Sequence, residues 1–184
     1  MTPRMRKLVI GGVLVGAAVL MVARSHANDS LLPVGAVAPE VVGKDAAGTT
    51  FKLSAQKGHF AVVYFYPKDE TTGCIKEACA FRDASGDYAK AGITVFAVSR
   101  QDDASHKGFR EHYHLPFPMV ADTSGAVQKA YGVPSVMPGV NISARVTFLV
   151  GPDGKIARVW PKVDPVVNAK EVLAAAAATP HKHS

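Results

Sequence analysis

The chain has 184 residues, 48% of them apolar and 20% charged, with a formal net charge of +6 and two cysteines. That length points to one domain with a core large enough to need no disulfide staples, and the composition excludes a disordered chain, a collagen-like repeat and a multi-span membrane protein. The charge is unevenly placed: Arg4, Arg6, Lys7 and Arg24 fall in the first 27 residues, and taking those four from +6 leaves +2 for residues 28–184, too little to claim nucleic acid or an acidic membrane as a partner.

Arg4, Arg6 and Lys7 precede a charge-free stretch over 8–23, and Ser25-His26-Ala27 follows with small residues at its first and third positions. This is the layout of a secretory signal peptide cleaved after Ala27. The alternative is a retained signal anchor, although 16 residues are short against the ~20 that usually span a bilayer. Either way the domain over 28–184 is expected to be exported, to a periplasmic or other extracytoplasmic compartment that permits disulfides. It meets the membrane only if the leader is retained.

The exported part begins with an entry loop over 28–38, punctuated by Pro33 and Gly35 and followed by Pro39. Short extended runs at 41–42 and 50–53 flank Asp45-Ala46-Ala47-Gly48, which predicts a hairpin. The apolar run 59–66 reads as a buried strand closed by Pro67. A helix is expected over 73–90, with Ile75, Ala78, Phe81 and Tyr88 on one side. Then come a buried strand at 93–98, a polar helix at 103–112 and a short strand at 119–121.

Asp122 or Ser124 is expected to cap a helix running to Tyr131, with Gly132 at its end. The stretch 132–141 holds Pro134, Pro138 and Gly139 and reads as an irregular loop. Strands at 145–150 and 155–160 meet across Gly151-Pro152-Asp153-Gly154, and Pro165 opens a last helix ending in the alanine run 174–178. Strands alternating with helices, then a closing hairpin and helix, predict an α/β domain of thioredoxin-like architecture, a mixed sheet flanked by helices.

The two cysteines, Cys74 and Cys79, are five residues apart. A loop so small gains only about 2 kcal/mol from a bridge on the chain-entropy model. In an intact helix the two Cα atoms would stand about 8–9 Å apart, beyond the roughly 7 Å that a disulfide spans. The pair therefore reads as a redox switch whose closure unwinds a helical turn; the alternative is a permanent bridge in a kinked segment. Cys74 lies in the first helical turn, where free N–H groups and the helix dipole stabilise the nucleophilic thiolate. Cys79 lies further in and suits the role of second attacker.

The segment 64–83, YFYPKDETTGCIKEACAFRD, contains P-x-x-x-T-x-x-C as Pro67, Thr71 and Cys74. It resembles the peroxiredoxins, specifically the bacterioferritin-comigratory-protein or peroxiredoxin Q group. The similarity follows element order over 31–178 and is strongest at 62–83 and 144–154. The resemblance implies a thioredoxin fold, no metal or organic cofactor, and reduction of hydrogen peroxide or organic hydroperoxides; a monomer is expected. By position, Cys74 matches the peroxidatic cysteine and Cys79 the resolving one. Thr71 matches the threonine that orients thiolate and peroxide, and Pro67 the proline that shields the pocket from water. Arg145 matches the arginine that stabilises thiolate and transition state, and Glu77 a carboxylate that holds it.

The implied cycle runs from thiolate to sulfenic acid to a Cys74–Cys79 disulfide, reset by a thioredoxin-like or other dithiol. Three departures stand out: Thr72 replaces a usual proline, the 132–141 loop is dissimilar, and export is atypical. A rival reading uses His106, His112 and His114 with the cysteines as a copper site, in a membrane-anchored, Sco-like copper chaperone. The C-x-x-x-x-C spacing speaks against it. The tail His181-Lys182-His183 reads as a solvated end, and Trp160 as packing.

Overall fold

The computed structural model describes residues 30–179; the expected leader over 1–27 and the histidine tail lie outside the described residues. The expected hairpin forms from β1 (Val42–Lys44) and β2 (Thr50–Lys52), followed by a single 3-10 turn at Leu53–Gln56. β3 (Ala61–Phe65) is buried at every position and leads through the site loop into α1 (Thr72–Asp83) and α2 (Ser85–Lys90). β4 (Thr94–Ser99), α3 (Asp103–Tyr113), β5 (Met119–Ala121) and α4 (Ala126–Ala130) follow, then the β6 (Val146–Val150) and β7 (Ile156–Trp160) hairpin and α5 (Asn168–Ala178). The sheet order is β2-β1-β5-β4-β3-β6-β7, with β3, β4 and β5 parallel and the other pairings antiparallel.

Alternation along β3 divides the core into two layers, as the period of two in a strand requires. Val62, Tyr64 and Tyr66 pack with Cys74, Phe81, Tyr88, Phe109 and Val172, so α1, α2, α3 and α5 cover one face. Ala61, Val63 and Phe65 pack with Tyr131, Val133 and Phe148 under α4 on the other. No helix among the described residues is long and apolar enough to cross a membrane.

The single helix expected over 73–90 is two. Ala84 sits at φ −87°, ψ 0° and closes α1 with its N–H on the Ala80 carbonyl. Ser85 and Gly86, both poor helix formers, follow it. The bend lets the Tyr88 hydroxyl donate to the Ala169 carbonyl of α5 at 2.6 Å. α4 is shorter than expected and its N-cap residue is Gly125, not Asp122 or Ser124; the Asp122 carboxylate nevertheless accepts from the first-turn N–H groups of Val127 and Gln128 at 3.2 and 2.8 Å. Ser124 contributes by accepting from Ala126 N–H at 3.3 Å. Pro165 lies in a turn, and α5 begins three residues later at Asn168.

The 132–141 segment is irregular as expected, but it turns back on itself through a Ser135–Ser143 bridge. Its ends are pinned by Gln128, which donates to the Val133 carbonyl at 3.1 Å and accepts from Ser143 Oγ at 3.0 Å. Gly132 has φ +65°, and a Cβ there would stand 2.2 Å from the Ser30 carbonyl oxygen. Only glycine fits that crossing.

Candidate active site

The site lies where the end of β3 stands beside the start of β6. Phe65 pairs with Val146, so Pro67 leaves the sheet beside Arg145, the residue just before β6. Proline cannot extend the ladder, and the chain turns through residues 67–71 into α1. Thr71 is the N-cap residue, extended at φ −89°, ψ 144°, with its carbonyl accepting from Ile75 N–H at 2.9 Å. Its hydroxyl donates to the Lys68 carbonyl at 3.0 Å, which tightens the turn.

Cys74 is therefore in the first turn of α1, and it is 1% exposed. Arg145 Nη2 donates to Cys74 Sγ at 3.2 Å, while Nη1 forms an ion pair with Glu77 Oε2. One planar guanidinium thus joins a thiol and a carboxylate that lie three residues apart on one helix face. Gly73 makes room for it: a Cβ there would meet Arg145 Nη2 at 3.2 Å. Burial works against the Arg145 charge, but Glu77 and Cys74 outweigh it and hold its pKa above the ordinary value. Glu77 is fully buried, and desolvation pushes its carboxyl up to about 7 despite the arginine. The Tyr64 hydroxyl is buried nearby; burial and then the Glu77 charge raise its pKa well above the ordinary range.

Cys79 is half-buried and has not joined Cys74; both thiols are free. It lines a groove of 580 Å³ between α1 and α5, with Lys76, Asp83, Val166, Ala169 and Leu173. Because α1 is continuous from Thr72 to Asp83, the two cysteines stand on different turns.

The histidines of the copper reading do not converge on the cysteines. His106 is buried with Nε2 2.7 Å from Ser99 Oγ, His112 pairs with Glu70 at 3.2 Å, and His114 ends α3 in a left-handed conformation. Among the described residues no cluster of three or more His, Cys, Asp or Glu side chains has metal-binding geometry.

Two residues of the loop before α1 escape a sequence reading. Asp69, 3% exposed, accepts from the Tyr66 hydroxyl at 2.6 Å and from Ser105 Oγ at 2.7 Å. Its N–H donates to Gln101 Oε1 at 2.6 Å. Glu70 takes φ +59°, rare for a side chain with a Cβ. The nearest hint in the sequence is a Lys-Asp-Glu run inside a turn, which reads as solvated loop; among the partners, Gln101 and the α3 residues Ser105, His112 and Tyr113 lie more than thirty residues on.

Residues 34–159 match the AhpC/TSA family. Peroxiredoxin Q, chloroplastic, of Triticum aestivum is 44% identical over 126 residues, a stretch that covers 68% of this chain and 58% of the wheat protein. The chain thus spans little more than half the length of that curated relative. The crystal structure of peroxidoxin BcpB from Mycobacterium tuberculosis matches with a TM-score of 0.73 at 27% identity, over 82% of this chain and 99% of that one. The bacterioferritin comigratory protein of Xanthomonas campestris matches with a TM-score of 0.67 at 34% identity, over 75% of this chain and 90% of that one. With the thioredoxin-like fold and a P-x-x-x-T-x-x-C segment at the N-terminus of α1, these likenesses agree: the chain belongs to the AhpC/TSA family, in its peroxiredoxin Q and bacterioferritin-comigratory-protein group.

Proposed function

We propose that the protein is a thiol peroxidase that reduces hydroperoxides through Cys74 and resolves the product through Cys79. The observation that carries this reading is the 3.2 Å hydrogen bond from Arg145 Nη2 to Cys74 Sγ at a helix N-terminus. The bacterioferritin comigratory protein of Xanthomonas campestris has alkyl peroxide reduction activity, which favours the same substrate class here.

Cys74 thiolate attacks one peroxide oxygen; an S–O bond forms as the O–O bond breaks. The departing oxygen gathers negative charge and takes a proton to leave as water or alcohol, and Cys74 becomes a sulfenic acid. Arg145 and the free N–H groups of the first α1 turn are fixed donors aimed at that charge, and Thr71 exchanges its Lys68 bond for one to the peroxide. Pro67, half-buried at the mouth, limits water, and Glu77 holds the guanidinium in place.

The first part of α1 then unwinds and Cys79 sulfur attacks the sulfenic sulfur. The S–S bond forms, the S–O bond breaks, and the hydroxyl leaves as water with the Cys79 proton. A thioredoxin-like or other external dithiol reduces the disulfide by exchange. Both cysteines and Arg145 lie on one chain, so a monomer can complete the cycle. The leader over 1–27 supports an exported enzyme, which the N-terminal sequence of the mature protein checks.

The test is peroxide consumption with a dithiol reductant by the full chain, Cys74→Ser and Cys79→Ser. Cys74→Ser should be inactive, and Cys79→Ser should reduce one equivalent and then stall or over-oxidise. Unchanged turnover in Cys74→Ser overturns the proposal.

A further inference from the structure

The segment that must open for Cys74 and Cys79 to meet is tied at both ends to one residue of α3. Before α1, the Tyr113 hydroxyl donates to Glu70 Oε2 at 3.0 Å, and His112 Nδ1 lies 3.2 Å from Glu70 Oε1. In the last turn of α1, Arg82 Nη1 donates to the Tyr113 carbonyl at 2.9 Å. Glu70 and Arg82 bracket both cysteines, so Tyr113 ties together the two ends of the segment within which α1 must unwind. Two further features belong with this. Glu70 is held at φ +59°, a conformation that persists only where its surroundings impose it. Asp69, next to it, is fixed to Tyr66, Gln101 and Ser105, so the backbone just before Glu70 is anchored. The Tyr113–Glu70 bond, by contrast, is at the surface and the Arg82–Tyr113 bond is part-buried, and each is a single bond that can break by itself.

We propose that Tyr113, through Glu70 and Arg82, is a positioning residue for the resolving step: it latches α1 in the folded arrangement and slows its opening to Cys79. The inference rests on the thiol-peroxidase reading. The latch holds the Cys74 sulfenic acid away from Cys79 for longer, and a second peroxide can oxidise it to the sulfinic acid in that interval. The latch therefore sets the balance between disulfide formation and over-oxidation while leaving the first oxidation to Arg145.

The experiment is rapid quenching of the reduced full chain, Tyr113→Phe, Glu70→Gln and Arg82→Gln after mixing with hydrogen peroxide. Sulfenic, disulfide and sulfinic forms are counted by mass. Tyr113→Phe and Glu70→Gln should form the disulfide roughly 2- to 10-fold faster, the factor a single hydrogen bond supplies, with a matching fall in sulfinic acid per turnover. Arg82→Gln should act in the same direction, and the rate of first oxidation should stay within about twofold in all three. Thermal midpoints are recorded beside the rates, because a merely structural role lowers the midpoint without raising the ratio of disulfide to sulfinic acid. An unchanged or reduced ratio in Tyr113→Phe overturns the latch alone. Failure of the unaltered protein to oxidise Cys74 at all overturns the peroxidase reading and the latch with it.

Discussion

Arg145 and Glu77 form an ion pair across 68 residues of sequence, between a residue at the foot of β6 and the buried face of α1. The carboxylate fixes one arm of the guanidinium, which leaves the other arm free to lie on Cys74. Loss of the guanidinium should strike the first chemical step. Arg145→Met should lower the second-order rate of Cys74 oxidation by about 100-fold or more, the cost of one transition-state donor. Arg145→Lys keeps the charge, loses the fork and should still fall well short of the unaltered protein. Stopped-flow oxidation measures both.

Glu77 makes stability depend on pH with a definite sign. Its folded carboxyl is raised from the ordinary 4.5 to about 7, chiefly by burial. Between those values the folded state holds a proton that the unfolded chain releases, so stability from this group declines as pH rises from 4.5 to 7 and then levels. Glu77→Gln lacks the effect. The difference in thermal midpoint, unaltered protein minus Glu77→Gln, should fall over that window; a flat difference refutes the assignment.

His106 should tilt the opposite way. Burial lowers its pKa below 6.5, against the pull of Asp69, Asp102 and Asp103 and with the help of Arg110. The unfolded chain therefore binds the extra proton, and stability from this group is lost as pH falls below 6.5. Denaturant unfolding of the unaltered protein and His106→Gln, compared across pH 5 to 7.5, reads the difference.

Asp122 offers a control remote from the chemistry. It accepts from two N–H groups of α4 and is 4% exposed, so Asp122→Ala should cost about 1–2 kcal/mol. The thermal midpoint should drop by about 2–8 °C while the oxidation rate of Cys74 stays the same.

Oxidation should melt the start of α1. Conversion to the disulfide brings Cα atoms on different helical turns within about 7 Å, which breaks the Ile75 to Thr71 bond among others. Amide exchange at 74–79 should therefore rise sharply in the oxidised protein. In Cys79→Ser the same residues should stay protected after one equivalent of peroxide.

Much of this was legible in one dimension. The strand before Pro67, a helix beginning near Gly73, and two cysteines too far apart on it to bond are local matters of φ/ψ, propensity and rise per residue. The helix start near Gly73 singles out Cys74 as the candidate nucleophile, and the alternation of strands and helices before a closing hairpin points to the thioredoxin-like fold. Glu77 and Arg145 were reachable only through a resemblance, because nothing in the sequence between them states that they touch. The break at Ala84 was missed because the apolar face runs through it, and Tyr88 keeps its place in the core by turning toward α5.

What the sequence determined by itself is the chemistry on offer: one thiol at a helix N-terminus and a second five residues on. What only the tertiary structure decided is how that chemistry is held. Packing of α3 beside the site loop places Ser105 on Asp69 and Tyr113 on both Glu70 and Arg82, and the β3–β6 register delivers Arg145 to Cys74. Such contacts depend on the packing distance between elements, which local preference along a chain does not encode.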